Sequence, residues 1–576
     1  MGVDMESNGE KMLSEHKVSE TFGGYIRQIT FNNGENFEVS PSDIVVFVGP
    51  NNVGKSQTLK DIYQLCESSN NNSVVVSGIK IEKEDSSLQS YLEKFSNVQV
   101  NGPNKYYTGL SYSIYSGIVD SWKSNETYGE LRNFLIGYLT TLNRLTICEP
   151  APNIRRDETY QSPIHYAAFS EKYQKKLSHD FERAFEKHII PNQLFGSVIP
   201  LTIGDDVKIE SDKESASSMI YSYAEKLASY PQVQNQGDGI KSFVGIMLYL
   251  MIDHYRTFLI DEPESFLHPP QAKIMGEIIG QTLSEHQQVF ISTHSEEIVK
   301  GLLEVCPERV KMIRITRTGN VNNFSILGNE NFKKIWGDPL LRHSNIMASL
   351  FHKTVVLCES DSDCRLYSII DSYLKQKEGH FSETMFIHCG GKQRMAKIVF
   401  SLKELNIDVK LVPDLDVLND ETIFKTITNS FGISWEVLEK DYRILISNLG
   451  NGRSIKREEA RAAIEAILNK NRNDVLSNKE SKDIQEVVKT KSIWSDLKKS
   501  GVRGFPHGDA ALAFEKMNSI LKENGIYVVP VGELESFIPT VGGHGPNWVD
   551  SVLETYPDLE NSIYNEIKEF IQSMAL

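Results

Sequence analysis

Short apolar runs recur along the chain, and most stop at a glycine, a proline or an acidic residue. Ile44–Val48, Thr257–Ile260, Val289–Ser292, Lys353–Cys358, Met385–His388, Val409–Val412 and Ile526–Val531 are four to six residues long and rich in Val and Ile. Continuous rather than alternating hydrophobicity is the pattern of parallel strands covered on both faces. Between them, Gln57–Cys66, Tyr173–His188 and Asp363–Lys375 repeat apolar positions every three or four residues and predict amphipathic helices. Phe243–Ile252 reads as a buried helix segment, and Tyr25–Ser40 as two short strands around the Asn32-Asn33-Gly34 turn.

The β-helix-β alternation in both halves predicts two α/β domains with parallel strands, divided near 335–350. Residues 1–22 read as a flexible leader. The first domain would span 23–340, with a mostly helical insertion at about 81–230 that is broken by a β-like stretch at Phe195–Ile203 and is a candidate dimerisation region. The second would span 341–545, with a polar, helix-rich insert at about 420–505, and 546–576 would add a C-terminal helix.

Composition narrows the class. The chain has 576 residues, 40% apolar and 24% charged, which suits a globular protein of several domains. The longest nearly unbroken apolar run, at ten residues, is half of what a bilayer requires, and the acidic, polar first residues carry no secretory pattern. Six cysteines at no CxxC spacing read as reduced thiols, so a cytoplasmic protein without membrane contact is expected. A net charge of −16 excludes a general polyanion binder, so any nucleic-acid contact needs locally concentrated basic residues. Residues 441–503 meet that requirement, with 14 Lys and Arg against 9 Asp and Glu. The densest part is Arg453, Lys456, Arg457 and Arg461. A solvated helix face is the plainer reading, and a DNA-backbone contact the functional one.

Two constellations carry chemistry. Gly49-Pro50-Asn51-Asn52-Val53-Gly54-Lys55-Ser56 fits GxxxxGK[ST] between a strand and a helix that opens at Gln57. There, backbone N–H groups curl around phosphates, Lys55 reaches the outer phosphates and Ser56 takes a place on Mg²⁺. A later strand ends in Asp261, placed for the Mg²⁺ shell, and Glu262, placed to orient or deprotonate the attacking water. Another ends in His294, suited to sense a γ-phosphate.

In the second half, one strand delivers Glu359, a second Asp414 and Asp416, and a third Glu533 and Glu535. Period two would put Asp414 and Asp416 on one face. Carboxylates that close repel unless a cation intervenes, and oxygen-only donors suit Mg²⁺ or Mn²⁺. Strand C-termini of an open parallel sheet share one crevice, so the three tips predict one metal-binding rim.

The first set resembles the ABC-type ATPases, in the branch shared with SMC and RecF proteins. Gly49–Ser56 matches Walker A, Leu259–Glu262 Walker B, Glu264–His268 the D-loop and His294 the switch histidine. Gln236–Ser242 stands where that family keeps its signature loop, with Gly237 and Gly239 as its glycines and Gln236 in place of the serine. The resemblance implies ATP bound by Gly49, Asn51, Asn52, Gly54, Lys55, Ser56, Gln57 and Asp261, and closure of two heads on ATP. Gln161 is the candidate for the Q-loop. The second set resembles the Toprim domain, with Glu359 as its glutamate, Asp414 and Asp416 as its DxD pair, and Ser360 where that family has glycine.

ATPase followed by Toprim is the layout of the OLD-family (overcoming lysogenization defect) nucleases, including that of the Gabija anti-phage system. In that family Glu359, Asp363, Asp414, Asp416 and Glu533 or Glu535 would match the metal-binding acids. The family's late lysine has no counterpart between the last acid strand and Lys568, and Lys392 is an alternative phosphate contact. The resemblance implies an ABC-type P-loop ATPase with a helical insertion, then a Rossmann-like Toprim domain with its own. It further implies an ATP-regulated, metal-dependent DNA endonuclease, a homodimer or higher even oligomer, in anti-phage defence. Relatives work with a retron reverse transcriptase and its RNA–DNA, with a helicase, or alone. The rival reading is a non-catalytic, ATP-switched DNA clamp or repair scaffold.

Overall fold

The apolar runs of the first half assemble into one six-stranded sheet. Its strands are β1 (Ile44–Val48), β2 (Ile136–Leu139), β3 (Thr257–Asp261), β4 (Gln288–Ser292), β5 (Val310–Thr318) and β6 (Val321–Leu327). Their spatial order is β6-β5-β1-β4-β3-β2, parallel throughout except for the β5/β6 edge pair. The computed structural model describes residues 24–327 and 346–576, apart from 71, 84–87, 111, 156–157, 207–215, 320, 450–455, 471–474 and 489–492. The leader at 1–22 and Arg453 therefore lie outside the described residues.

Every residue of β1 and β4 is buried, which is why these runs show no alternation. Parallel register brings Leu139, Asp261, Ser292 and the loop after Val48 to one rim. Helix α1 (Lys55–Leu65) starts from that loop, and α2 (Asp238–Leu250) precedes β3.

The expectation of a mostly helical 81–230 is corrected. Val76–Lys83 pairs antiparallel with Gly24–Phe31, which also pairs with Asn36–Glu38 across the Asn32-Asn33-Gly34 turn. Asn97–Asn101, Asn104–Gly109 and Tyr112–Tyr115 form a three-stranded antiparallel sheet, and β2 joins the main sheet. The period-two signal sits in the aromatic and β-branched residues of 105–115, where Tyr106 faces Tyr115 across the strands with ring centroids 5.7 Å apart. The expected helix is present as Glu171–Phe185, but His188 opens a strand that pairs with Leu201–Gly204.

The second unit is built on a parallel sheet of β7 (Thr354–Cys358), β8 (Thr384–His388) and β9 (Asp408–Val412), in the order β8-β7-β9. Helix α3 (Asp361–Lys377) leaves β7 directly. The expected last strand, Ile526–Val531, lies along β9 but makes only one parallel bridge, Leu411↔Ile526. Tyr527 N–H donates to the Leu411 carbonyl at 2.8 Å and Val529 N–H to that of Pro413 at 3.0 Å. Pro413 has no N–H to return, so the ladder is interrupted where a fourth strand would form.

The polar insert is helical and ends in α4 (Ile493–Ser500). The expected single C-terminal helix is two, α5 (Pro546–Thr555) and Asn565–Ser573, with Pro557 in the break. Trp548, Val552, Ile567 and Phe570 pack them on the core formed by Val356, Leu366 and Ile370. The chain divides into compact units at 1–338 and 339–576. Among the described residues no helix is long and apolar enough to cross a membrane.

Candidate functional site

The rim of the first sheet is a phosphate cradle. Gly49 and Gly54 take φ values of 142° and 97°, which L side chains rarely adopt, and bend the loop between β1 and α1. Asn51 and Asn52 are exposed on it, and Ser56 is half-buried in the first turn of α1. Lys55 is buried and folds back, its Nζ donating to the Gly49 and Pro50 carbonyls at 2.8 Å each. Burial lowers its pKa, and the Glu262, Glu264 and Asp261 carboxylates oppose that shift. Gln57 binds Asp61 Oδ1 at 2.7 Å, and Asp61 Oδ2 accepts the N–H groups of Val74, Val75 and Val76. Its side chain thus braces the chain behind the loop.

At the end of β3, Asp261 accepts from the Ser292 hydroxyl, and Glu262 takes a left-handed φ of 46°. Fully buried Arg144 secures this strained corner, with Nη1 on the Asp261 carbonyl and Nη2 on that of Glu262, both at 2.9 Å. Burial pushes Arg144 down to about 10. Sequence reasoning missed it because β2, the strand before it, was also missed. His294 Nδ1 lies 3.6 Å from Glu262 and 3.4 Å from Glu264, and its backbone N–H donates to Glu264 at 2.9 Å. Gly237 and Gly239 sit at the start of α2, Gly239 hard against the Phe266 carbonyl. Gln161 instead precedes Pro163–Phe169, with its N–H on His165, whereas Thr140, Thr141 and Asn143 follow β2 at the phosphate rim.

The second unit concentrates carboxylates. Glu359, Asp414 and Asp416 each offer an oxygen within 4.8 Å of the others, and Glu533, Glu535 and His544 form a second such group. Asp414 and Asp416 do not meet by strand pleat: β9 ends at Val412, and the pair sits on a 3₁₀ turn at 415–419 that Asp414 opens. Glu359 Oε2 and Asp416 Oδ1 are buried without a hydrogen-bond partner. Burial raises the Glu359 pKa, with Asp416 adding to it, and raises Asp414 well above the usual range, with Glu359 and Asp363 adding to it. Ser360 caps α3 together with Asp363, so serine is a local fit where Toprim has glycine.

The cation balancing these acids comes from the insert. Lys498 Nζ stands 3.4 Å from Asp414, 3.3 Å from Asp416 and 3.8 Å from Glu533. Burial opposes its charge, but the Asp414 and Asp416 carboxylates outweigh it and hold the ammonium above the ordinary lysine range. Lys392 Nζ adds a contact to Asp416 at 3.3 Å. Gly532 makes this delivery possible: a Cβ there would come within 2.2 Å of the Lys498 carbonyl oxygen, and its φ is 105°. Of the basic run, Lys456, Arg457 and Arg461 are exposed on or beside Arg457–Leu468, and Arg461 pairs with Glu465 at 2.9 Å.

Known proteins resemble both sites. Residues 350–416 match the family described as "Overcoming lysogenization defect protein-like, TOPRIM domain". Residues 127–300 match "AAA domain, putative AbiEii toxin, Type IV TA system". The Old nuclease of Escherichia phage P2 is 22% identical over 325 residues, 54% of this chain and 49% of that protein. An ATP/GTP phosphatase of Helicobacter pylori (strain ATCC 700392 / 26695) is 32% identical over 77 residues, 13% of this chain and 21% of its own length. The chain thus spans about half or less of each curated relative. Among solved structures, the SMC head bound to the C-winged helix domain of ScpA shares 13% identity over 54% of this chain and 100% of that one, at a TM-score of 0.31. The Thermotoga maritima SMC head domain shares 12% over 53% and 98%, at 0.28. The fold is a mixed α/β P-loop ATPase followed by a Toprim domain, and an ATPase domain of this kind implies ATP binding.

Two predictions follow from the acid cleft. Burial pushes Asp363 up to about 6 from an ordinary 3.8. An acid raised on folding favours the fold at low pH and loses that advantage as pH climbs from about 4 to about 6, so ionised Asp363 destabilises neutral protein. Asp363→Asn keeps an acceptor for the Ser360 N–H and should raise stability in EDTA at pH 7.5 by about 2 kcal/mol, with about half that gain at pH 5. Urea midpoints at the two pH values measure this, and equal gains at both would refute it. Gly532→Ala should cost about 1–3 kcal/mol through overpacking and push Lys498 off the acids. An unchanged urea midpoint for that variant would show that α4 does not press on Gly532.

Proposed function

We propose that this chain is an ATP-regulated, divalent-metal-dependent DNA endonuclease that serves as a cytoplasmic anti-phage effector and works as a homodimer or higher even oligomer. The observation that carries the reading is the cleft where Glu359, Asp414 and Asp416 converge with two partnerless oxygens beside Lys498. Such acids fit Mg²⁺ or Mn²⁺ in number, charge and donor type, with Glu359, Asp414 and Asp416 as one ligand group and Glu533, Glu535 and Asp363 beside them. Bound ions would supply an activated water and stabilise the departing 3′ oxygen of a phosphodiester. Lys498 and Lys392 place positive charge at the acids, where the non-bridging oxygens of a phosphate need it. Arg453, Lys456, Arg457 and Arg461 would hold the DNA backbone.

In the ATPase unit, Lys55 exchanges its two loop carbonyls for phosphate oxygens. Ser56 and Asp261 hold the Mg²⁺ that accompanies ATP, Glu262 orients the water, and His294 between Glu262 and Glu264 reads the γ-phosphate. ATP occupancy restrains cutting, which protects the cell's own chromosome. A retron reverse transcriptase with its RNA–DNA, or a helicase, fits as partner. Against the clamp reading, Lys498 places a cation directly at Asp414 and Asp416.

Asp416→Ala should lower DNA cleavage by orders of magnitude and leave ATP hydrolysis intact, measured side by side in Mg²⁺ and Mn²⁺. Glu262→Gln, which binds ATP without hydrolysing it, should stay silent when ATP is present, whereas Lys55→Ala should cut regardless. Full cleavage by Asp416→Ala would end the nuclease reading. Identical cleavage by wild type, Lys55→Ala and Glu262→Gln, with and without ATP, would end the gating.

Neutralising Arg453, Lys456, Arg457 and Arg461 together should flatten the salt dependence of DNA binding by a slope of roughly one per lost contact. An unaltered slope would return this run to a solvated helix face.

A further inference from the structure

The two donor groups of the acid cleft differ in chemistry. Glu359, Asp414 and Asp416 offer oxygen alone, whereas Glu533 and Glu535 are joined by the imidazole of His544. All but Asp416 line one cleft of about 360 Å³ together with Asp363. His544 stands on the turn that enters α5, and that turn is tied to the acids: Glu535 Oε1 accepts the Gly545 N–H at 3.0 Å and lies 3.5 Å from His544 Nδ1. An exposed histidine–carboxylate pair would by itself contribute almost nothing to stability. The tie nevertheless fixes the imidazole within 4.8 Å of an oxygen of both glutamates. Three donors about 2.1 Å from one ion lie about 3–4 Å from one another, so side-chain movements of up to about 1 Å would close the group around it.

Resting on the nuclease reading, we propose that the cleft holds two unlike cations, and that His544, Glu533 and Glu535 form the site for an imidazole-binding divalent ion such as Mn²⁺. Mg²⁺ seeks oxygen donors and keeps its water, whereas a nitrogen donor favours first-row transition ions. Site one therefore accepts Mg²⁺ or Mn²⁺, and site two discriminates against Mg²⁺. Lys498 sharpens the difference, since its contacts to Asp414 and Asp416 are at 3.3–3.4 Å and that to Glu533 is at 3.8 Å. The second site is thus the less obstructed by a resident cation.

The test is metal binding by the full-length protein after EDTA treatment, followed by calorimetry and by electron-spin-echo spectroscopy of bound Mn²⁺. Wild type should bind two Mn²⁺ with unequal affinity, and excess Mg²⁺ should displace one of them. The Mn²⁺ that Mg²⁺ leaves behind should show ¹⁴N modulation from a coordinated imidazole. His544→Ala should abolish that modulation and weaken one Mn²⁺ at least tenfold. His544→Gln, which restores an oxygen donor, should bind Mn²⁺ without the nitrogen signal. Asp416→Ala should remove the other ion and keep the ¹⁴N signal. Absence of nitrogen modulation in wild type, or unchanged Mn²⁺ affinities in His544→Ala, would overturn the assignment. Loss of one ion in Asp416→Ala under those results would leave the nuclease reading standing. Failure of wild type to bind either metal would overturn both.

Discussion

The cost of burying carboxylates side by side is the constraint around which the second unit is arranged. Glu359, Asp414, Asp416, Glu533, Glu535 and Asp363 crowd the C-terminal rim of a small parallel sheet, several of them with raised pKa values. Burial is the largest cause of each shift, so the site stores electrostatic strain that cations must offset. Lys498 and Lys392 offset part of it. The partnerless oxygens of Glu359 and Asp416 mark what the two lysines leave unsatisfied.

The same logic, with the signs reversed, operates at the phosphate cradle. There the buried charges are Lys55 and Arg144, both lowered by burial, and backbone carbonyls serve as their partners. Lys55 spends its hydrogen bonds on the Gly49 and Pro50 carbonyls of its own loop. Arg144 spends its bonds on the Asp261 and Glu262 carbonyls at a corner where Glu262 has positive φ. One cation therefore ties the loop before α1 and the other the corner after β3, although both are buried beside the same three acids.

What the sequence disclosed follows from this physics. Parallel strands covered on both faces are continuous apolar runs, so Ile44–Val48 and the runs ending before Asp261 and Glu359 were readable, as were the residues at their tips. The meander at 97–115 was not, because its alternation lies among tyrosines inside a charged stretch. Nor could the pleat argument for Asp414 and Asp416 succeed, since Pro413 ends the ladder and a 3₁₀ turn brings the two together instead. Lys498 is one of 14 basic residues between 441 and 503, with nothing local to single it out. Its placement is fixed from a distance, by Gly532, a positive-φ glycine whose Cβ would collide with the Lys498 carbonyl.

That distance has a mechanical consequence. Gly532 contacts the carbonyls of Leu497 and Lys498 on one side, and its own carbonyl accepts the Leu415 N–H on the other. Ser536 then binds the Lys498 carbonyl at 2.9 Å. The last turn of α4, the turn bearing Asp414 and Asp416, and the segment bearing Glu533 and Glu535 are thus one packed unit with a glycine at its centre. A displacement of α4 cannot move Lys498 without disturbing both sets of acids. The end of the insert is bonded to the acid-bearing segment at the Lys498 carbonyl and again where Val502 N–H donates to the Pro530 carbonyl, so the charge balance of the cleft is set by where the insert ends.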